Sequence, residues 1–373
     1  MDLLFTIPDF WPHVRRGAER LVHDLGVEMI RRGHHFTVVT RTPGPRAARA
    51  TMDGIDVRYR PAHAAAFARM GLNPMESFAL PAAAAGVRAR ADVLAAHYPS
   101  DGLGLYLAAK IRRRPVAINI MGWPDRRWIE FKHPRTHRMM IRALEACPVT
   151  VLGEGAARQM RSEFGIDPHV LRCGTFTSAW HRPRPPQERR TIVCSAAVDD
   201  ERKRVGLLVR AFVDVGRDEP DLDLLLVGPG DASAHLADAH RIDPGVAARI
   251  SHLPGTQPAE LPDILARCTV GALTSVREAF GLVVIEYLAS GMPAVGCDDA
   301  GVTEILTPDT GALFRPDDVA GCADALRRAL ELAGDPATVD RARARADEFD
   351  WSKAADAHEA FYRRLAAGTD GAR

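Results

Sequence analysis

Lysine is almost missing from this chain of 373 residues: it occurs only at positions 110, 132, 203 and 353, although Lys+Arg together number 49. Arginine supplies the remainder, a bias of composition before it is one of function. Against 48 Asp+Glu the formal net charge is +1, so no global field favours nucleic acid as a partner. The six cysteines, Cys147, Cys173, Cys194, Cys268, Cys297 and Cys322, include no C-x-x-C pair. That argues against a zinc site and a disulfide framework, and they read as reduced, mostly buried thiols. No run of about 18 apolar residues occurs, so no transmembrane helix is expected. The opening Met1-Asp2-Leu3-Leu4-Phe5-Thr6-Ile7-Pro8 has an acidic second residue and too short an apolar run for a signal peptide, which makes a cytoplasmic location the expectation. Neither a G-x-G-x-x-G turn after a first strand nor a G-x-x-x-x-G-K-[ST] loop is present, and the nicotinamide and P-loop readings fail on that test.

What is present is globular: 46% hydrophobic and 26% charged residues, at a length that suits two domains better than one core. Short apolar β-like runs alternate with amphipathic stretches, the pattern of strand-helix-strand units around parallel sheets. Candidate strands are Leu3 to Ile7, His35 to Thr40, Ile55 to Tyr59, Asp92 to His97 and Pro115 to Met121. A second series runs Thr191 to Ser195, Leu222 to Val227, Arg249 to Leu253, Val270 to Thr274 and Pro293 to Gly296. From Gly17 to Arg32 the residues Leu21, Leu25, Met29 and Ile30 follow a helical period and Gly33 stops it. The proline-rich, charged segment Trp180 to Arg190 is composed as a linker. The expected domains are therefore 1–182 and 183–351, two Rossmann-like doubly wound sheets of α/β class with an interdomain cleft at the strand C-termini. A last helix, Ala354 to Leu365, sets Ala357, Phe361 and Leu365 on one face and suits either domain.

The sharpest local signal is Glu278-Ala279-Phe280-Gly281-Leu282-Val283-Val284-Ile285-Glu286. A Phe280-Gly281 loop opening a helix near Leu282 would aim the amides of Gly281, Leu282 and Val283 at an anion, and a diphosphate fits. Glu286, one turn into the helix, can accept from a vicinal diol, and Glu278 can face a sugar hydroxyl. The alternative makes both glutamates solvated helix-end charges. Gly17 could likewise open an anion-facing helix, or serve only a tight turn. The triplet Arg202-Lys203-Arg204 is either a solvated loop or a cationic site.

The spacing of Glu278 and Glu286 around Phe280-Gly281-Leu282, followed by Ala289-Ser290-Gly291-Met292-Pro293 and Gly301-Val302-Thr303-Glu304, resembles family 4 retaining glycosyltransferases of the GT-B fold. Gly33 to Thr40, Leu225-Leu226-Val227-Gly228-Pro229-Gly230 and Thr310 to Asp318 extend the resemblance over nearly the whole chain. It implies two facing Rossmann-like domains, acceptor bound mainly by the first and nucleotide-sugar by the second, with the C-terminal helix, about 352–373, returning to the first. It implies no catalytic metal and no cofactor beyond the nucleotide-sugar co-substrate. The implied roles are diphosphate stabilisation by Lys203, sugar orientation by Glu278 and donor contacts from Arg202, Gly228, Phe280, Gly281, Leu282, Val283 and Glu286. Retention would proceed by front-face displacement.

Two positions depart from the pattern. The arginine that relatives carry six residues before the lysine is Ala197, for which Arg202 or Arg204 would have to substitute, and their His-Gly after the fifth strand is Met121-Gly122. Methionine can neither donate a hydrogen bond nor move a proton. Gly17, His97 and Met121 are the candidate acceptor-side residues, His97 by position only. Acceptors in keeping with the resemblance are hydroxyls of a small molecule, glycan or lipid. The basic, aromatic stretches Trp123 to Arg135 and Trp11 to Arg20 suit anionic headgroups at the inner face of a membrane, or are solvated loops with aromatics anchored in the core. Two rival functions fit the same sequence: a nucleotide-sugar binder without efficient turnover, and a nucleotide-sugar epimerase.

Overall fold

The computed structural model describes residues 1–368 except 15, 43, 71–73, 127–133, 187 and 300. The chain divides into two compact units, Met1–Gly174 with Trp351–Arg373, and Thr175–Asp350.

The first unit carries strands β1 (Asp2–Thr6), β2 (His35–Arg41), β3 (Ala48–Met52), β4 (Ile55–Arg60), β5 (Val93–Ala96), β6 (Val116–Ile120), β7 (Val149–Val151) and β8 (His169–Val170), in sheet order β3-β4-β2-β1-β5-β6-β7-β8. All pairs are parallel except β3 with β4. Continuous burial of β5 and β6 reflects helices on both sheet faces. The helix Gly17–Arg31 buries Leu21, Val22, Leu25 and Met29, the stripe its periodicity predicts, while Ile30 is only half-buried.

The C-terminal helix, Trp351–Ala366, belongs to this first unit. It starts three residues ahead of the expected Ala354, and its buried face is Trp351, Ala355, His358, Phe361, Tyr362 and Leu365; Ala357 points to solvent. The correction follows from geometry, since Trp351, Ala355, His358 and Tyr362 recur at steps of four and three. Arg32 anchors this helix, its Nη1 donating to Asp356 at 2.7 Å and Glu359 at 3.0 Å. The Tyr362 ring meets Phe5 of β1 edge-on at 5.5 Å.

The second unit carries β9 (Arg190–Ser195), β10 (Leu222–Val227), β11 (Ile250–Leu253), β12 (Val270–Leu273), β13 (Ala294–Cys297) and β14 (Gly311–Phe314), parallel throughout, in the order β11-β10-β9-β12-β13-β14. Two sheets of doubly wound α/β topology result, and in the second the strand order reverses between β9 and β12. Its core gathers Leu208, Phe212, Leu224, Leu226, Val295 and Leu326, each worth roughly 1.5–3 kcal/mol when removed from water. The division at Gly174/Thr175 precedes the expected linker because that segment is fastened to the second unit: Arg184 donates to the carbonyls of Ser290 (3.1 Å) and Cys268 (2.6 Å). Of the cysteines Cys147 is half-buried and the other five are buried, all with free thiols.

Candidate active site

The crevice at a strand-order reversal, beyond the strand C-termini, is where ligands of open α/β sheets bind. In the second unit that point lies between β9 and β12, and both loops leaving these strands carry residues singled out from the sequence. The loop after β9 tightens into a 3-10 turn, Glu201–Lys203, capped by Asp200, whose Oδ1 accepts from the Arg202 amide at 3.0 Å. The loop after β12 is tied to it: Thr274 Oγ1 donates to the Lys203 carbonyl at 2.8 Å, and the Val276 amide donates to the Arg202 carbonyl at 3.1 Å. Arg204 and Arg277, one in each loop, hold positive φ of 52° and 55°. Such conformations persist in L residues only where surroundings fix them.

The outcome is an ion pair. Lys203 Nζ lies 3.0 Å from Glu278 Oε2, both side chains about three-quarters buried at 27% and 23% exposure. Arg202 is turned away, its guanidinium paired with Asp200 at 2.6 Å and its side chain 79% exposed. Arg204 Nε is engaged by Asp317 at 3.2 Å. Each candidate substitute for the arginine absent at Ala197 is therefore neutralised by a carboxylate of its own.

Gly281 has φ of 102°, a region open to glycine and strained for other residues, and from it the helix Leu282–Ala289 departs. Phe280 is buried and its ring meets Phe349 edge-on at 5.8 Å, so this residue offers the crevice only its backbone. Leu282 and Val283 are half-buried. The leading amides of this helix lack carbonyl partners within it, the arrangement that favours an anion. Glu286 is buried on the inner side of the same helix. Gly301 closes the turn from behind: its amide donates to the Glu278 carbonyl at 3.0 Å, and a Cβ there would lie 2.3 Å from the Phe280 Cα.

Gly228, at the end of β10, has φ of 136°, and a Cβ would stand 2.1 Å from the Ala196 carbonyl oxygen. Its part is close approach of two loops, with the Val198 amide donating to the Pro229 carbonyl at 2.9 Å. Three groups escaped the sequence reading. Tyr287, fully buried, accepts the Ser195 amide at 2.7 Å and pins the end of β9, while burial drives its phenol well above the usual range. The Ser195 hydroxyl, in the last residue of β9, lies against the Tyr287 phenol, and that of Ser275, two residues beyond β12, is buried with no partner among the described residues. Their signal was a serine closing or shortly following each apolar strand, and a buried hydroxyl calls for a partner.

In the first unit, Gly17 opens its helix exposed, with no atom within 4 Å of where a Cβ would stand. Beside it Arg16 bridges Asp9 at 2.9 Å and the buried Glu19 at 2.6 Å. Met121 follows β6, half-buried. His97 is a correction. Its ring has no exposed surface, Nδ1 is 3.0 Å from the Thr6 carbonyl and Nε2 is 2.9 Å from Asn119 Nδ2, and burial pushes the imidazole down to about 3. It is a core residue, held neutral. Of the stretch Trp123 to Arg135, residues 127–133 lie outside the described residues, as does Arg15 in the Trp11 to Arg20 region. Among the described residues no group of three His, Cys, Asp or Glu is placed to hold a metal ion, and no helix is long and apolar enough to cross a membrane.

Residues 15–178 match the family described as Glycosyltransferase Family 4, and residues 189–332 match Glycosyl transferases group 1. A phosphatidyl-myo-inositol mannosyltransferase of Propionibacterium freudenreichii is 27% identical over 274 residues, 70% of this chain and 67% of that protein. The MMP alpha-(1->4)-mannosyltransferase of Mycolicibacterium hassiacum is 28% identical over 70% of this chain and 61% of its own length. A glycogen synthase of Mycobacterium tuberculosis is 34% identical over 52% of this chain and 47% of its own. The chain thus spans about a third to two thirds of the length of the curated relatives it matches. Among solved structures, sucrose-phosphate synthase from Thermosynechococcus elongatus superposes with a TM-score of 0.76 at 19% identity, covering 98% of this chain and 99% of the other. Anabaena HepE in complex with UDP-glucose gives 0.74 at 16% identity, over 97% and 100%. The two matched segments, the two doubly wound sheets and these likenesses agree on one assignment: the chain belongs to the family 4 glycosyltransferases and has the GT-B fold.

Proposed function

We propose that this protein moves a hexose-type sugar from a nucleoside-diphosphate-sugar to a hydroxyl acceptor, with retention at the anomeric carbon. The observation that carries the reading is the Lys203–Glu278 pair set beside the Gly281 turn at the strand-order reversal of the second unit. A diphosphate entering there meets the leading amides of the Leu282–Ala289 helix and the Lys203 ammonium. Glu278, released from Lys203, accepts from a hydroxyl of the transferred sugar, and Glu286 accepts from the ribose diol. The neighbour solved with UDP-glucose supports a donor of this class.

In the displacement, the bond from the anomeric carbon to the donor phosphate oxygen breaks as the bond to the acceptor oxygen forms on the same face. The acceptor's proton passes to the departing phosphate oxygen. Negative charge accumulates on the diphosphate, so a cation fixed beforehand stabilises the transition state more than the ground state. Thermal shift with UDP-, GDP-, ADP- and dTDP-sugars, followed by nucleoside-diphosphate release assays on the preferred donor, tests the reading. Stabilisation by one donor series with acceptor-dependent release supports it; no stabilisation by any of them overturns it.

Ala197 favours a second reading, a nucleotide-sugar binder with little turnover, because both neighbouring arginines are already paired. Donor stabilisation without nucleoside-diphosphate release for every acceptor class would support that reading. NMR of a donor incubated alone separates out the epimerase: a new epimer identifies it.

A further inference from the structure

An open cavity of about 560 Å³ lies at the foot of the first sheet, where β1 and β2 begin. Its charged walls come from three segments. Asp2 opens β1, Arg49 stands on β3 with Asp56 and Arg58 on β4, and Arg88 and Arg90 lie where the helix Ala79–Arg88 ends ahead of β5. With histidine counted as neutral, four arginines against two aspartates leave two positive charges in excess. The excess stays positive when Asp92, which accepts the Asp2 amide at 2.8 Å, is added to the count.

Both wall carboxylates are already engaged. The antiparallel pair sets Arg49 directly opposite Arg58, two like charges that repel across the strands. Asp56 serves both, with Arg49 Nε at 2.6 Å and Arg58 Nη2 at 2.7 Å. Asp2 Oδ1 lies 2.9 Å from the His35 ring. Among the described residues Arg88 donates only to the Ala84 carbonyl, at 3.4 Å, and Arg90 has neither a hydrogen bond nor an ion pair. A helix C-terminus favours a cation in its last turn by roughly 0.3–1 kcal/mol, which accounts for Arg88 and leaves Arg90, two residues beyond the end, without a reason.

We propose that this cavity binds a small phosphomonoester bearing hydroxyl groups, the chemistry of a sugar phosphate. Near neutral pH a phosphomonoester carries about 1.5–2 negative charges and three acceptor oxygens, which suits two guanidiniums lacking carboxylates. A carboxylate ligand would neutralise only one of them. The volume falls within the roughly 300–1,000 Å³ of small-molecule sites and leaves room beyond a phosphate group. The Thr37 hydroxyl and the Asp2 carboxylate, also in the walls, suit the hydroxyls of such a ligand. Ligands of doubly wound sheets react at the strand C-termini, the length of β1 away, roughly 15 Å. A molecule held at the foot of the sheet is therefore an effector and not a substrate, and the proposal stands whether or not the donor assignment does.

Titration calorimetry of the full chain in phosphate-free buffer, with glucose 6-phosphate and glucose as probes, tests it. Binding of the phosphate ester and none of glucose is the expected result. Arg88→Gln with Arg90→Gln weakens that binding about tenfold or more, while Lys203→Ala leaves it within about twofold. Both arginines are exposed, and an unchanged urea midpoint of the double variant without ligand controls for folding. No heat with glucose 6-phosphate, equal binding of glucose, undiminished binding by the folded double variant, or loss of binding in Lys203→Ala alone overturns the proposal.

Discussion

Lys203 and Glu278, separated by 75 positions, meet at 3.0 Å because the loops leaving β9 and β12 are laced together by Thr274 and Val276. On the proposed reading the pair holds the ammonium in place for a ligand with more negative charge, and removing Lys203 would leave Glu278 to face a diphosphate uncompensated. Lys203→Ala is expected to lower kcat about 10²–10³-fold, whereas Glu278→Gln keeps the cation and chiefly disturbs sugar placement. Steady-state kinetics with the preferred donor checks this; equal turnover of Lys203→Ala and wild type would remove Lys203 from the mechanism.

Gly281 and Gly228 differ in why they are glycine. At Gly281 the nearest atom to a Cβ is Val302 Cγ2 at 3.2 Å, so Gly281→Ala suffers mainly from φ of 102° and should cost roughly 1–2 kcal/mol. At Gly228 the Cβ would strike the Ala196 carbonyl oxygen at 2.1 Å, and backbone must move. Urea unfolding of both variants is expected to place Gly228→Ala well below Gly281→Ala, with donor affinity reduced in each.

Ser275 offers a test in which stability and function separate. Its hydroxyl is buried and has no partner among the described residues, so Ser275→Ala should leave the ligand-free protein as stable or more so, by up to about 1 kcal/mol. If the hydroxyl turns to the donor, KM for the donor rises in the same variant. A variant less stable and unchanged in KM would make Ser275 a packing residue only.

Acid sensitivity should reside in the first unit. Burial pushes His97 down to about 3 and His358 to about 4, whereas an unfolded imidazole titrates near 6.5. From about pH 6.5 downward the unfolded chain binds protons that the folded one refuses, so each group removes stability at roughly 1.4 kcal/mol per pH unit. Asp101, pushed up to about 7 by burial, opposes them, since between about pH 4 and 7 the folded state keeps a proton the unfolded state has lost. Between about pH 5 and 6, below the range where His23, raised against its burial by Asp24 and Asp53, releases its proton, two terms against one leave stability rising with pH. Urea unfolding between about pH 5 and 6 should show that slope in the wild type and nearly none in His358→Phe, which also loses the bond to the Arg172 carbonyl.

The strands of both sheet centres were legible because they are apolar on both faces, and Leu222–Val227 was placed to the residue. Those passed over are short or peripheral. β3 is the exposed edge Ala-Arg-Ala-Thr-Met, β7 has three residues and β8 two, and β14 begins in a turn. Spacing singled out Lys203, Glu278, Gly281 and Glu286, which lie in the loops after β9 and β12 and on the helix that follows. It could not tell that Arg202 and Arg204 are occupied, since Asp200 and Asp317 reach them through turn geometry. Nor could it tell that the histidine after β5 faces inward, a matter of which side of the sheet Asn119 and Phe5 occupy.

The helix Trp351–Ala366 completes the first unit from beyond the second, so a nascent chain emerging from the ribosome reaches residue 350 with one unit whole and the other lacking a piece of its core. The second unit, later in sequence, is the earlier to have all its parts. Until translation delivers Tyr362, the Phe5 ring lacks that neighbour, and the earlier-made unit is the later able to close.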